Sequence, residues 1–142
     1  MNETKLNLKN DKRIMNKIIK ILVKMGEKVK INKVYELTEK ETREEVEYRV
    51  VVEDGGQVDL AAKIVVGERA VGSEGSLKIK VLLLGEGATA VVVPELEIMT
   101  NGVRAFHSAS VGKIDEEQWY YLCSRGLSRA EAKKMIVKAF LA

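Results

Sequence analysis

His107 and Cys123 are the side chains of this 142-residue sequence best suited to metal chemistry, and each is the only residue of its type. A neutral imidazole can ligate iron or act as a base near neutral pH, and a thiolate suits zinc and iron–sulfur centres. By residue type alone, however, a histidine satisfied at the end of a strand is the commoner case. Cys123 stands four residues after Trp119 in an expected helix, which favours a small buried hydrophobe over a ligand. One His and one Cys fall short of the four-ligand spacing of zinc or cluster sites. No metal site within a single chain is expected, and its ligands are left unassigned.

Motifs for catalysis are missing too. There is no Gly-x-x-x-x-Gly-Lys-Ser/Thr phosphate loop and no Gly-x-Ser-x-Gly nucleophile elbow. Gly72-Ser73-Glu74-Gly75 and Gly85-Glu86-Gly87 pair glycines without a following helix, so they are expected to be corners. Glu95 and Glu97 share one face of a strand, an arrangement that more often means a solvated face than acid–base work. No catalytic residue is assigned, and the chain is not expected to be an enzyme.

The elements that must position these residues follow from periodicity. Ile14, Ile18, Ile21, Leu22 and Met25 recur at spacings of three and four, which predicts an amphipathic helix over Asp11–Met25, capped by Asn10 or Asp11 and ended by Gly26. From Val29 to Lys113 the period becomes two, clearest in Glu45–Val52, and β-branched residues dominate. Punctuation at Gly55-Gly56, Gly67, Gly75, Gly85, Pro94, Gly102 and Gly112 divides the region into short strands, which leaves sandwich, barrel and β-solenoid open. Two details lean towards the solenoid. Ala61–Val66 and Ala90–Val93 pair small with branched residues, and Asn101-Gly102 is the single Asn-Gly hairpin signal.

A helical period returns at Asp115, which can cap a short helix through Tyr121, Leu122 and Cys123 up to Gly126. Ser128-Arg129-Ala130-Glu131 matches a capping box, and the helix that follows places Ala132, Met135, Ile136, Ala139 and Phe140 on one stripe. One domain is expected, in three parts: a helical cap over residues 1–28, a strand-rich core over 29–113 and a helical hairpin over 114–142.

Composition narrows the partners. Residues 1–40 hold 11 Lys/Arg against 5 Asp/Glu and residues 41–142 hold 13 against 16, so the positive charge is concentrated at the start. Nucleic-acid binding through that segment is a minor reading, because Tyr35 is its only aromatic residue. No apolar run nears the ~20 residues of a membrane-spanning helix, so no membrane partner is expected. A single cysteine and a polar Met1–Asp11 without a signal segment point to the cytosol.

A family resemblance lies in the C-terminal half. Val92-Val93-Pro94-Glu95-Leu96-Glu97-Ile98 and Gly102–Gln118, with Phe106-His107-Ser108-Ala109-Ser110-Val111-Gly112 at its centre, resemble the core of the SufB/SufD family of iron–sulfur cluster assembly. Tyr121–Ser128 looks like that family's helix-turn signature, and Asp54–Gln57 and Leu82–Gly85 fit the preceding rungs. The resemblance implies a mainly β fold, a right-handed parallel β-helix with flanking helices, and association of β-helices in pairs. It also implies an ABC-type (SufC-like) ATPase partner docked on the C-terminal helices around Tyr121, Arg125 and Gly126. The upstream β-helix would be shortened, with the Asp11–Met25 helix capping its open end.

His107 falls where the family carries a histidine, so the resemblance makes it a candidate cluster-site or interface residue. The SufB branch adds a cysteine and a glutamate at the positions of Ile79 and Ser108, and neither residue can replace them. The chain thus resembles the SufD branch. A transient iron–sulfur cluster would require a partner, either a SufB-like scaffold or a second copy. A truncated structural homo-oligomer without cluster chemistry is the alternative.

Overall fold

Alternation of inward and outward side chains organises the strands from Arg13 to Lys113, and most of the inward positions are apolar. A computed structural model describes residues 2–7 and 13–142, with side chains from residue 14 onward. β1 (Asn2–Asn7) precedes seven long strands: β2 (Arg13–Val23), β3 (Lys28–Leu37), β4 (Thr42–Val52), β5 (Gln57–Val66), β6 (Glu74–Leu83), β7 (Thr89–Ile98) and β8 (Arg104–Lys113). Helices α1 (Glu116–Ser124) and α2 (Arg129–Leu141) close the chain.

The strands form two sheets, ordered β1-β2-β4-β6-β8 and β3-β5-β7. All neighbours are parallel except β1, which pairs antiparallel with β2. From β2 onward each step along the chain therefore crosses from one sheet to the other, and each second step lands one rung further on. This is a β-solenoid of about three turns, the architecture favoured above over sandwich and barrel. Its core is the space between the sheets, filled by Val46, Tyr48 and Val50 of β4, Leu60 and Ile64 of β5, and Leu77 and Ile79 of β6.

The helix expected over Asp11–Met25 is corrected by the structure: Arg13–Val23 is a strand, paired residue for residue with Thr42–Val52. Ile19, Ile21 and Val23 turn towards the core while Ile18, Lys20 and Leu22 are exposed, a period of two hidden inside a sequence that also satisfies a period of three to four. Branched side chains are stiff in a helix and pack well on a pleated surface, and a parallel partner decides the matter. The proposed caps Asn10 and Asp11 lie outside the described residues. Gly26 has the expected positive φ, but in the turn joining β2 to β3. The end of the solenoid is covered in part by β1 rather than by a helix.

Three expected breaks are also corrected. Gly75, Pro94 and Gly112 lie within β6, β7 and β8. A Cβ on Gly75 would stand 3.2 Å from Cγ2 of Ile64, so the residue makes room in the core rather than a turn. Pro94 sits in the last strand of its sheet, where a missing N–H is tolerated.

Turns stack as the strands do. Gly87 N–H donates to Oδ1 of Asp54 at 2.8 Å, and the Gly56 and Thr89 turns are joined by a further backbone bond. Gly85 is pressed so closely on Asp54 that an added Cβ would lie 2.5 Å from the Asp54 Cβ.

Candidate functional site

β8 carries His107 and is the terminal strand of its sheet, so one of its two edges has no partner strand among the described residues. Its register places Ala105, His107, Ala109 and Val111 above Gly75, Leu77, Ile79 and Val81. Those four β6 residues are buried against the opposite sheet. Among the described residues that sheet ends one strand earlier, at β7, so the β8 row projects past the last layer of core, with Ala105 half-buried and His107, Ala109 and Val111 exposed. His107 is therefore exposed at the end of the solenoid, with no side-chain hydrogen bond among the described residues. It is not the strand-end histidine held by a neighbour that its residue type alone suggested.

Ile79 and Ser108 are separated by the same pleat. Ile79 is fully buried and faces the core beside Ala109, on the side of the sheet that His107 shares. Ser108 pairs with Lys78 on the outer side, next to Phe106, which is 56% exposed. Phe106 lines an outer groove of about 520 Å³ together with Ile18, Glu47, Ser76 and Lys78. Sequence reasoning missed Phe106 as a surface feature, because the only available signal was an aromatic residue on the polar phase of an alternating strand. Within the groove Glu47 accepts from Arg49 at 2.8 Å and faces Lys80 at 3.3 Å. Burial acts to raise the Glu47 pKa, but the two cations outweigh it and hold the carboxyl below its ordinary value.

The helical hairpin is built as expected. Asp115 accepts from the Glu117 N–H, and the Ser128–Glu131 capping box is closed at both ends. Arg125 ends α1 and Gly126 follows with φ 96°, which a side chain would strain. Trp119 Nε1 donates to the Arg129 carbonyl at 3.1 Å while the Arg129 guanidinium lies 3.9 Å from the indole centroid, clamping the two helices. Ala132 and Ile136 are buried and Phe140 packs with Leu122, Val51 and Leu82 on the outer face of the larger sheet. Met135, expected on that stripe, is exposed. Cys123 is half-buried and is in no disulfide.

Tyr121 and Arg125 come together at the surface. Arg125 Nη2 donates to the Tyr121 hydroxyl at 3.0 Å and its guanidinium lies 5.3 Å from the ring. Tyr120, which the sequence did not single out, is 78% exposed beside them. His107 and Cys123 fall on different elements, and among the described residues no three His, Cys, Asp or Glu side chains converge to hold a metal. Glu95 and Glu97 lie on the outer face of β7, both within reach of Lys63, at 3.6 and 3.3 Å.

Comparison with known proteins places this solenoid. The family model for the SUF system FeS cluster assembly SufBD core domain matches residues 1–140. The chain belongs to the SufBD family. It is 37% identical over 95 residues, 67% of its length, to the iron-sulfur cluster assembly protein SufD of Escherichia coli K12. It is 33% identical over 91 residues, 64% of its length, to the iron-sulfur cluster assembly protein SufB of Bacillus subtilis. A SufBD family protein of Staphylococcus saprophyticus is 34% identical over 91 residues. The matched segments are 20–22% of those relatives, so the chain aligns with about a fifth of each. No described helix is long and apolar enough to cross a membrane.

Proposed function

We propose that this SufBD chain is a non-enzymatic scaffold subunit of a cytosolic SUF-type assembly complex. It pairs through β8 with a SufB-like β-helix or with a second copy, and it docks an ABC-type ATPase through α1 and α2. The observation that carries this reading is the edge of β8, ten residues long with His107 at its middle, which has no partner strand among the described residues. An open edge that long is a template for strand pairing, and pairing would bring groups from a second chain to His107. A cluster would be cargo held transiently by both chains, since this one supplies a lone imidazole there. The exposed Tyr120, Tyr121 and Arg125 suit the ATPase surface, because an arginine already oriented by an aromatic ring can clamp a carboxylate.

Sedimentation equilibrium at micromolar concentration tests the pairing. A mass above 15.8 kDa, alone or with a SufB-like partner, is expected. A constant single-chain mass in both settings rejects it. For docking, Arg125→Glu is expected to weaken ATPase binding in calorimetry without unfolding the chain, and unchanged affinity removes Arg125 from the interface.

The buried, apolar Ile79 and the hydroxyl of Ser108 favour one second reading, a structural homo-oligomer that has no cluster chemistry. Anaerobic reconstitution with iron and sulfide separates the two. Visible absorption that develops only with a SufB-like partner supports the scaffold, and failure in both settings supports the homo-oligomer.

A further inference from the structure

The opposite end of the solenoid carries a different surface. β1 pairs with β2 only as far as Ile18, so Ile19–Val23 lacks a neighbour on that side among the described residues. β3 is bonded to β5 along one edge and to no described strand along the other. Between these two bare edges lies a groove of about 880 Å³. Ile19, Ile21 and Ile31 contribute its apolar floor, and Lys20, Lys30 and Lys33 stand around it.

Charge is one-sided in this groove. No carboxylate is among the described residues that line it, and Lys20, Lys30 and Lys33 form no ion pair with a described residue. Lys17 differs, being 3.7 Å from the Glu44 carboxylate and 5.2 Å from the Tyr35 ring centroid. By the pleat, Lys30 belongs to the outer phase of β3 and Lys33 to the inner phase shared with Ile31 and Tyr35. A strand added to β3 would therefore meet a cation on each of its faces and apolar side chains beneath.

We propose that this groove receives an extended acidic segment of a partner protein as an additional strand on β3. Backbone pairing along Lys30–Val34 would supply affinity, and about five residues of extended chain would span the roughly 17 Å involved. Carboxylates on the outer phase match Lys30 and apolar side chains on the inner phase match the floor, with one inner-phase carboxylate opposite Lys33. A second copy fits less well, because antiparallel β3–β3 pairing would gather Lys28, Lys30 and Lys33 of both chains on one seam, where like charges repel. The β7 edge of another copy carries Glu95 and Glu97, yet Pro94 removes a donor from its middle.

The test uses the full chain and a fluorescein-labelled peptide of alternating Glu and Val, roughly ten residues long, beside its Lys/Val counterpart. The acidic peptide is expected to bind at least about tenfold more tightly by anisotropy, with affinity falling as salt rises. Hydrogen exchange should slow at β3 amides when it binds. The Lys30→Glu/Lys33→Glu variant, both changes being at exposed positions, should keep its circular dichroism and lose at least about tenfold in affinity. Equal binding of the two peptides, or binding without protection of β3, overturns the proposal. So does a variant that alters the chain's own sedimentation mass and leaves peptide binding unchanged, since that result assigns the edge to a second copy.

Discussion

β6 and β8 are neighbours in one sheet, ten residues each and in continuous register, yet one is core and the other surface. β6 buries Leu77, Ile79 and Val81 because β5 and β7 stand across from it in the other sheet. β8 repeats the same inward phase with Ala105, His107, Ala109 and Val111, but among the described residues no strand of the smaller sheet stands across from them, and the last three are exposed. Ladder hydrogen bonds alone therefore do not create a core. Burial requires the second layer, and where it is missing the strand is free for a partner.

The largest effect should come from the covered side of that comparison. Ile79→Ala removes three buried carbons from the middle of the stack and is expected to cost about 2–4 kcal/mol in urea unfolding. A loss under ~1 kcal/mol would show that the inter-sheet core is loosely packed.

Next comes the turn stack that keeps the covered rungs in register. Gly85→Ala drives a Cβ into Asp54 and should cost about 1–3 kcal/mol. An Asp54→Gly background removes the obstructing Cβ and should make the substitution much less costly. Equal cost in both backgrounds would mean that the strain lies elsewhere.

Glu44 sharpens the contrast through pH. It is 5% exposed in the inner phase of β4, where burial raises its pKa above the ordinary value and the Lys17 ammonium only partly offsets the shift. With the folded-state pKa raised, the native chain holds the proton more tightly than the unfolded one. The associated stability is fully present below the ordinary carboxylate value of 4.5 and is lost as pH rises through the folded-state pKa. Urea midpoints of the wild type should fall across that window relative to Glu44→Gln. Parallel profiles for the two proteins would contradict the assignment.

The smallest effect belongs to the uncovered strand. Val111→Ala on β8 should change single-chain stability by less than about 0.5 kcal/mol, because the side chain is already exposed. Its consequence should instead appear as weaker pairing in sedimentation. A loss as large as that of Ile79→Ala would mean that β8 is covered in solution.

Much of this could be read from the residues themselves. Period-two alternation from Glu45 to Val52 determined a strand, and Asp115, Gly126 and Ser128–Glu131 determined two helices and the turn between them, because caps and pleats are local devices. The resemblance around Phe106–Gly112 supplied the family that comparison then showed over residues 1–140. Residues 13–23 were not readable in the same way. Ile14, Ile18, Ile21 and Leu22 fit a helical stripe as well as Ile19, Ile21 and Val23 fit a strand face, and only the parallel partner Thr42–Val52 discriminates between them. Gly75 and Pro94 likewise looked like breaks until Ile64 and the position of β7 at a sheet edge accounted for them. The exposure of His107 belongs to the tertiary structure too. Its pleat phase follows from the chain, but whether that phase meets a core or open space depends on how many rungs the opposite sheet contains, a property of long-range stacking that no local pattern encodes.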